Sequence, residues 1–225
     1  MGQEFLIVDD HPLFRAALRG AVAAASTDGQ FFEADTVAGL LELVEQRPQA
    51  DLLLLDLNMP GAHGFSALAH LRGTHPQLPV IVVSAMDDAH TVRQALAFGA
   101  QGFISKSADA ATIGQSVLAA LRGDLVTPPG LASNGAGATD AAALDVARRI
   151  SDLTPQQYRV FGMLCSGQLN KQIAFNLKIA EATVKAHMTA ILRKLGASNR
   201  TQAVLLATHL AVDPSELKAP PEEAE

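Results

Sequence analysis

Five residues with reactive or charged side chains stand at the ends of short apolar runs in the first half of the sequence. In chain order they are Asp9, Asp10, Asp56, Ser84 and Lys106. Three carboxylates that converge in a partly buried site repel one another unless a cation lies between them. Mg²⁺, or Mn²⁺ in its place, takes such oxygen ligands, and Mg²⁺ often bridges to phosphate. The pattern predicts a metal-dependent site in which Asp56 attacks a phosphoryl group, while Ser84 and Lys106 bind its oxygens.

The elements that position these residues alternate between strand-like and helix-like segments. The runs Leu52–Asp56 and Val80–Ser84 are apolar up to their last residue, which is typical of strands buried on both faces. Weaker runs at 31–34 and 102–105 complete five strands with the one before Asp9, and helical spacing separates them. This alternation predicts an α/β fold with a parallel five-stranded sheet. The carboxyl ends of its strands share one edge, where ligands bind.

Each of these residues has an ordinary explanation when it is taken alone. A single Asp at a strand end usually caps a helix or forms a turn, and a single Lys after a strand is usually solvated. The functional interpretation depends on all the residues occurring in order, each at the correct strand end. The first turn, Asp9-Asp10-His11-Pro12, has no glycine, which excludes a site for a dinucleotide pyrophosphate.

The net charge of −6 conceals a strong asymmetry along the chain. Residues 1–130 contain seven basic and fourteen acidic residues, whereas 151–210 contain seven basic and two acidic ones. A basic segment on an acidic protein predicts a local site for a polyanion. The single cysteine excludes an intramolecular disulfide, and no apolar run approaches the roughly 18–20 residues that span a bilayer. We therefore expect a soluble, cytoplasmic protein without a membrane partner.

The basic segment reads as an all-helical domain with one long helix at Glu181–Leu195. An apolar stripe on this helix predicts its buried side, and another face is small, polar and positive, which suits the DNA major groove. This face carries Ala182, Lys185, Ala186, Thr189 and Arg193, and Thr183 is also expected to contact DNA. Cations near helix ends are expected to contact phosphates: Lys171, Lys194 and Arg200. Taken singly, most such cations are simply solvated.

Residues 4–122 resemble the receiver domain of response regulators, which has a flavodoxin-like fold. The resemblance lies in the residues above and in the run Asp56-Leu57-Asn58-Met59-Pro60-Gly61. It implies that a partner histidine kinase phosphorylates Asp56. It also implies that Asp9, Asp10, Asp56 and the backbone carbonyl of Asn58 hold the metal ion. Ser84 and Phe103 correspond to the switch residues of receivers, and Lys106 to their phosphate-binding lysine.

Residues 153–211 resemble the LuxR-type helix-turn-helix. The matching motifs are Leu153-Thr154, Asn170-Lys171-x-Ile173-Ala174, Thr183-Val184-Lys185-x-His187, Lys194-Leu195-Gly196 and Arg200-Thr201-Gln202-Ala203-Val204. With the receiver, this places the chain in the NarL/FixJ class, which implies binding to double-stranded promoter DNA and dimerisation through the last helix. Leu169 and Ala180 depart from the pattern, since serine is usual at both positions.

The 225 residues divide into four expected segments. These are a receiver at 1–124, a linker with a possible short helix at 125–150, a helix-turn-helix domain at 151–211 and an acidic disordered tail at 212–225. Phosphorylation is expected to control homodimerisation and transcriptional regulation through DNA binding. In the resting state, we expect the acidic receiver to cover Lys185 or the last helix.

Two other functions remain open from the sequence. A Mg²⁺-dependent phosphatase would also use an aspartyl nucleophile, but it usually needs a second acid two residues later, where this chain has Asn58. A regulator that works without phosphorylation would keep the pocket only as a relic. We expect no enzymatic activity beyond the protein's own phosphoryl transfer.

Overall fold

A parallel five-stranded sheet forms the centre of the first half of the protein. The computed structural model describes residues 2–59, 64–128 and 138–209. The strand order is β2-β1-β3-β4-β5, and every neighbouring pair is parallel. The strands are β1 (Glu4–Val8), β2 (Gln30–Ala34), β3 (Leu52–Asp56), β4 (Val80–Ser84) and β5 (Gly102–Ser105). The predicted α/β fold is confirmed.

Helices cover both faces of the sheet. Alternate residues of a strand point to opposite faces, so two hydrophobic clusters form. One cluster lies under α1 (Pro12–Ala25) and α5 (Ala110–Leu121), and the other lies under α2 (Val37–Gln46), α3 (Ser66–Thr74) and α4 (Ala89–Ala97). All residues of β3 and β4 are buried, as their apolar sequences predict.

Five further helices follow within the described residues. They are α6 (Ala138–Ser151), α7 (Pro155–Cys165), α8 (Asn170–Asn176), α9 (Glu181–Leu195) and α10 (Arg200–His209). Thr154 caps α7, since its hydroxyl accepts from the Gln157 N–H at 3.3 Å and its own N–H donates to Gln157 Oε1 at 3.1 Å. Gly196 ends α9 with φ at 68°, a left-handed conformation that favours glycine.

Helix α6 is longer than the short helix expected between the domains. It packs against both α4 and α9, and its Ala147 and Ile150 side chains are completely buried. Arg149 also donates to the Leu195 carbonyl at the end of α9 (3.3 Å). The second part of the expected linker is therefore a packed helix that joins the sheet domain to the helical domain. The expected tail at 212–225 lies outside the described residues.

The two domains meet where α3 and α4 pack against α6 and α7. Tyr158 of α7 is only 2% exposed, and its ring contacts the His70 ring edge-on at 5.7 Å between centroids. Buried apolar residues of both domains belong to one hydrophobic cluster. The expectation that the sheet domain covers Lys185 is wrong, because the Lys185 side chain is 65% exposed. Apolar burial determines the contact, whereas attraction between distant surface charges is screened by salt.

Candidate functional site

An acidic pocket lies at the carboxyl ends of β1 and β3. These strands are neighbours, so Asp9, directly after β1, lies beside Asp56 at the end of β3. Both side chains are fully buried. Asp9, Asp10, His11 and Asp56 each offer one ligand atom, and these atoms lie within 4.8 Å of one another. The sheet thus brings together the three carboxylates that the sequence predicted.

Lys106, directly after β5, supplies the positive charge of the pocket. Its Nζ lies 2.8 Å from Asp56 Oδ2 and 2.7 Å from Asp9 Oδ2. Burial of the ammonium group lowers the pKa of Lys106, but the hydrogen bonds that it donates to Asp56 and Asp9, together with the attraction of their charges, outweigh this effect, so the pKa is raised overall. Lys106 is therefore firmly protonated and balances part of the negative charge.

The remaining donor atoms fit a hard divalent cation. Asp9 Oδ2 lies 2.7 Å from Lys106 Nζ and Asp10 Oδ1 lies 2.6 Å from His11 Nδ1, and the described residues supply no further donor to either oxygen. Three carboxylates beside a single ammonium group leave an excess of negative charge, which a divalent cation with oxygen coordination would balance. The Asn58 N–H donates to Asp56 Oδ1 at 3.0 Å, which fixes the orientation of that carboxylate.

His11 is a member of this pocket that sequence reasoning missed. Its Nδ1 lies 2.6 Å from Asp10 Oδ1, in the loop between β1 and α1. The position next to Asp10 was a signal in the sequence. Periodicity arguments do not show the orientation of a side chain in such a short loop.

The expected switch residues are both buried. Ser84 Oγ accepts a hydrogen bond from the Met86 N–H at 3.1 Å. Phe103, in β5, is 1% exposed. Its ring lies in the core shared with α3, α4, α6 and α7, so no inward turn of the ring is left for phosphorylation to cause. A change at Phe103 must be a repacking within that core.

The helical domain has a solvent-facing basic surface on α9. The apolar stripe of this helix is buried, as predicted, at Val184, Met188, Ile191 and Leu195. Thr183 is exposed, and so are all residues of the expected groove face: Ala182, Lys185, Ala186, Thr189 and Arg193. The Lys185 ammonium group lies 3.2 Å from the Glu181 carboxylate one turn earlier, and both side chains are largely exposed.

The three cations at helix ends are in different environments. Lys171 of α8 is exposed. Lys194 Nζ donates to the Asp152 carbonyl and to Gln157 Oε1, both at 2.8 Å. Arg200 Nη2 donates to the Leu164 carbonyl in the last turn of α7 at 3.3 Å and to the Gln168 carbonyl after the helix at 2.6 Å. Lys194 and Arg200 therefore connect helices within the domain, and contact with DNA phosphates would be an additional role.

Comparison with protein families identifies both domains. Residues 5–118 match the response regulator receiver domain, and residues 151–207 match the bacterial regulatory proteins of the luxR family. The chain belongs to the response regulators that combine these two domains, so it is a DNA-binding regulator of transcription. A receiver domain implies a kinase as partner. None of the described helices is long and apolar enough to cross a membrane.

Individual relatives share this organisation over nearly their whole length. The chain is 41% identical to the glycerol metabolism activator of Pseudomonas putida, covering 91% of this chain and 94% of the relative. It is 35% identical to the probable transcriptional regulatory protein NarL of Mycobacterium tuberculosis (strain ATCC 25618 / H37Rv), covering 88% and 90%. The structure of RcsB from Salmonella enterica serovar Typhimurium, bound to a promoter in the presence of phosphomimetic BeF3-, has a TM-score of 0.53. It is 19% identical and covers 92% of this chain and 98% of that one, which supports the fold.

Proposed function

We propose that a histidine kinase phosphorylates Asp56 in the presence of Mg²⁺, and that the phosphorylated chain binds promoter DNA as a homodimer. The observation that carries this proposal is the state of the Asp56 carboxylate. It is buried at the end of β3, paired with Lys106, and surrounded by the oxygen donors of Asp9 and Asp10. Such a buried acidic cluster fits phosphoryl transfer to a carboxylate better than a purely structural role.

Each pocket residue has a separate role in the proposed phosphoryl transfer. An oxygen of Asp56 attacks the phosphorus atom of a phosphohistidine, and the imidazole leaves. A divalent cation held by Asp9, Asp10, Asp56 and the Asn58 carbonyl would neutralise charge on the phosphoryl oxygens. Lys106 would move from the two carboxylates to a phosphoryl oxygen. Ser84 Oγ would leave the Met86 N–H and donate to another phosphoryl oxygen.

A continuous set of packed elements connects this pocket to the DNA-binding domain. Ser84 ends β4, which is followed by α4; α4 packs on α6, and α6 packs on α9. Repacking at Ser84 and Phe103 would therefore change the surface on which α6 rests. In this proposal, phosphorylation weakens the docking of the two domains and so allows two chains to pair. Helix α10, with its half-exposed Leu205, supplies the dimer contact.

Acetyl phosphate with Mg²⁺ tests the phosphorylation step. The full chain should gain the mass of one phosphoryl group, while Asp56→Asn should not. Asp28→Asn, which removes an exposed carboxylate before β2, at the end of the strand away from the pocket, is the matched control and should be labelled normally. A chelator or Asp10→Ala should prevent labelling. Equal labelling of Asp56→Asn and the unchanged chain would contradict the assignment. DNA binding that stays the same with and without label would favour the phosphorylation-independent alternative.

Two lysine variants test the DNA-binding surface. A binding sequence is first obtained by selection from random DNA with the phosphorylated full chain. Lys185→Ala should relax base preference, because its side chain lies on the exposed face of α9. Lys171→Ala should weaken binding to all sequences alike and reduce the salt dependence, as loss of a phosphate contact does. A uniform loss of affinity in both variants would show that Lys185 does not read bases.

A further inference from the structure

An open basic cleft lies between α8 and α9, with a volume of about 600 Å³. Its lining combines three cations, Lys171, Lys185 and Arg200, with a single acid, Glu181. It also contains Leu169, a large apolar side chain that is 64% exposed. An exposed leucine beside three cations suits a ligand that carries negative charges and an apolar group together.

The same chain contains a segment with this chemistry directly after the helical domain. Residues 211–225 carry five acidic residues and one basic residue, a net charge of −4. Leu217 lies within this acidic stretch. The segment begins two residues after α10 ends at His209. The segment lies outside the described residues, but the sequence shows its composition and its attachment just after α10.

We propose that residues 211–225 dock in this basic cleft and compete with DNA for it. The acidic side chains would face Lys171, Lys185 and Arg200, and Leu217 would cover Leu169. This inference rests on the proposed function, in which α8 and α9 contact DNA, and it adds an inhibitor of that contact built into the chain. The segment would then act as an intramolecular substitute for the DNA phosphates.

Residues 211–225 are long enough to reach the cleft from the end of α10. Helix α10 has ten residues, so it separates Arg200 from the start of the segment by about 15 Å. The fifteen residues 211–225 span at most ~50 Å when extended. A short tether gives an effective concentration in the mM range, so even a contact that is weak in isolation is populated.

Truncation and charge neutralisation test the effect on DNA binding. The full chain is compared with one that ends at Leu210, and with Glu222→Gln/Glu223→Gln/Glu225→Gln. Both changes should tighten DNA binding by about 3- to 10-fold at low salt, because they raise the fraction of molecules with an open cleft. The gain should shrink at high salt. The matched control, Asp28→Asn/Asp35→Asn/Glu42→Gln, removes three exposed acids from the sheet domain and should leave affinity unchanged.

Amide NMR spectra without DNA separate docking from general charge repulsion. Truncation should shift the resonances of Lys171, Lys185 and Thr189 and leave those of α2 unchanged, at every protein concentration. Equal gains in the control variant without such shifts would mean repulsion only and would overturn the proposal. Shifts that require high protein concentration would indicate contact between two copies and would also overturn it. If neither the full nor the truncated chain binds selected DNA, the proposed function itself fails, which is a different outcome.

Discussion

Substitution of Gly73 by alanine tests whether the packing of α3 on α7 holds the two domains together. A Cβ atom at Gly73 would lie 2.5 Å from Cγ and 2.7 Å from Cβ of Tyr158. The Tyr158 ring is almost completely buried and also packs against His70. The ring therefore has no free space to move into while α3 and α7 remain in contact. We expect Gly73→Ala to separate the two helices.

Only the overpacking changes the ratio of open to docked molecules. Overpacking of a filled contact typically costs about 1–3 kcal/mol. Alanine is favoured over glycine inside a helix by up to ~1 kcal/mol, and this gain belongs to α3 whether or not the domains touch. The ratio of open to docked molecules should therefore rise roughly 5- to 150-fold, since 1.4 kcal/mol corresponds to a factor of ten. The sheet domain itself should not lose stability.

Tyr158 provides its own assay, because the chain has one tyrosine and no tryptophan. Tyrosine fluorescence therefore reports on this one contact. Acrylamide should quench it more strongly in Gly73→Ala, and small-angle X-ray scattering should show a larger particle. Gly20→Ala is the matched control, since Gly20 lies in α1 with open space around it. Unchanged quenching and unchanged size in Gly73→Ala would refute the idea that this contact holds the domains together.

Three further substitutions have expected outcomes. Burial, followed by the charges of His75 and Arg159, lowers the pKa of His70 from 6.5 to about 4. The open state binds the proton more readily, so docking should be strongest above about pH 6.5 and should weaken by up to ~3 kcal/mol as the pH falls toward 4. His70→Gln should reduce this dependence of Tyr158 quenching on pH. Thr154→Ala should reduce the free energy of unfolding by about 1 kcal/mol in urea, through loss of the cap on α7. Gly196→Ala should cost at least ~1 kcal/mol, seen as a lower Tm, because its φ of 68° disfavours alanine.

Local sequence patterns were sufficient to predict the sheet, and the three carboxylates and the lysine of the acidic pocket. The uninterrupted apolar runs of β3 and β4 indicate strands with two buried faces, and both strands are buried throughout. The carboxyl ends of parallel strands lie on the same edge of a sheet. The positions of Asp9, Asp56 and Lys106 after three such strands were therefore enough to predict that they lie close together, as they do. The apolar stripe of α9 likewise predicted its buried side.

The contacts of Lys106 and the role of α6 were not predictable in the same way. The position of Lys106 after a strand does not show that its ammonium group bridges two carboxylates, since that depends on side-chain conformation. In α6, Ala147 and Ile150 are buried by helices that are distant in sequence. Composition alone therefore made this segment resemble a linker.

The arrangement of the domains depends on shape, which charge counts do not describe. Opposite net charges suggested that the sheet domain would cover either Lys185 on α9 or the last helix. Instead, the absence of a side chain at Gly73 makes room for Tyr158, and the domains meet there. A glycine inside α3 gave no sign of this in the sequence, because its partner lies in the other domain.

The hydrophobic cluster shared by the two domains has a consequence for how the protein melts. While α6 and α7 rest on α3 and α4, neither domain can unfold without exposing apolar surface of the other. Calorimetry of the docked protein should therefore show a single cooperative transition, even though the chain has two domains. A chain held open, by a phosphoryl mimic or by Gly73→Ala, should melt in two steps. If phosphorylation opens the protein as proposed, it would also make the two domains unfold independently of each other.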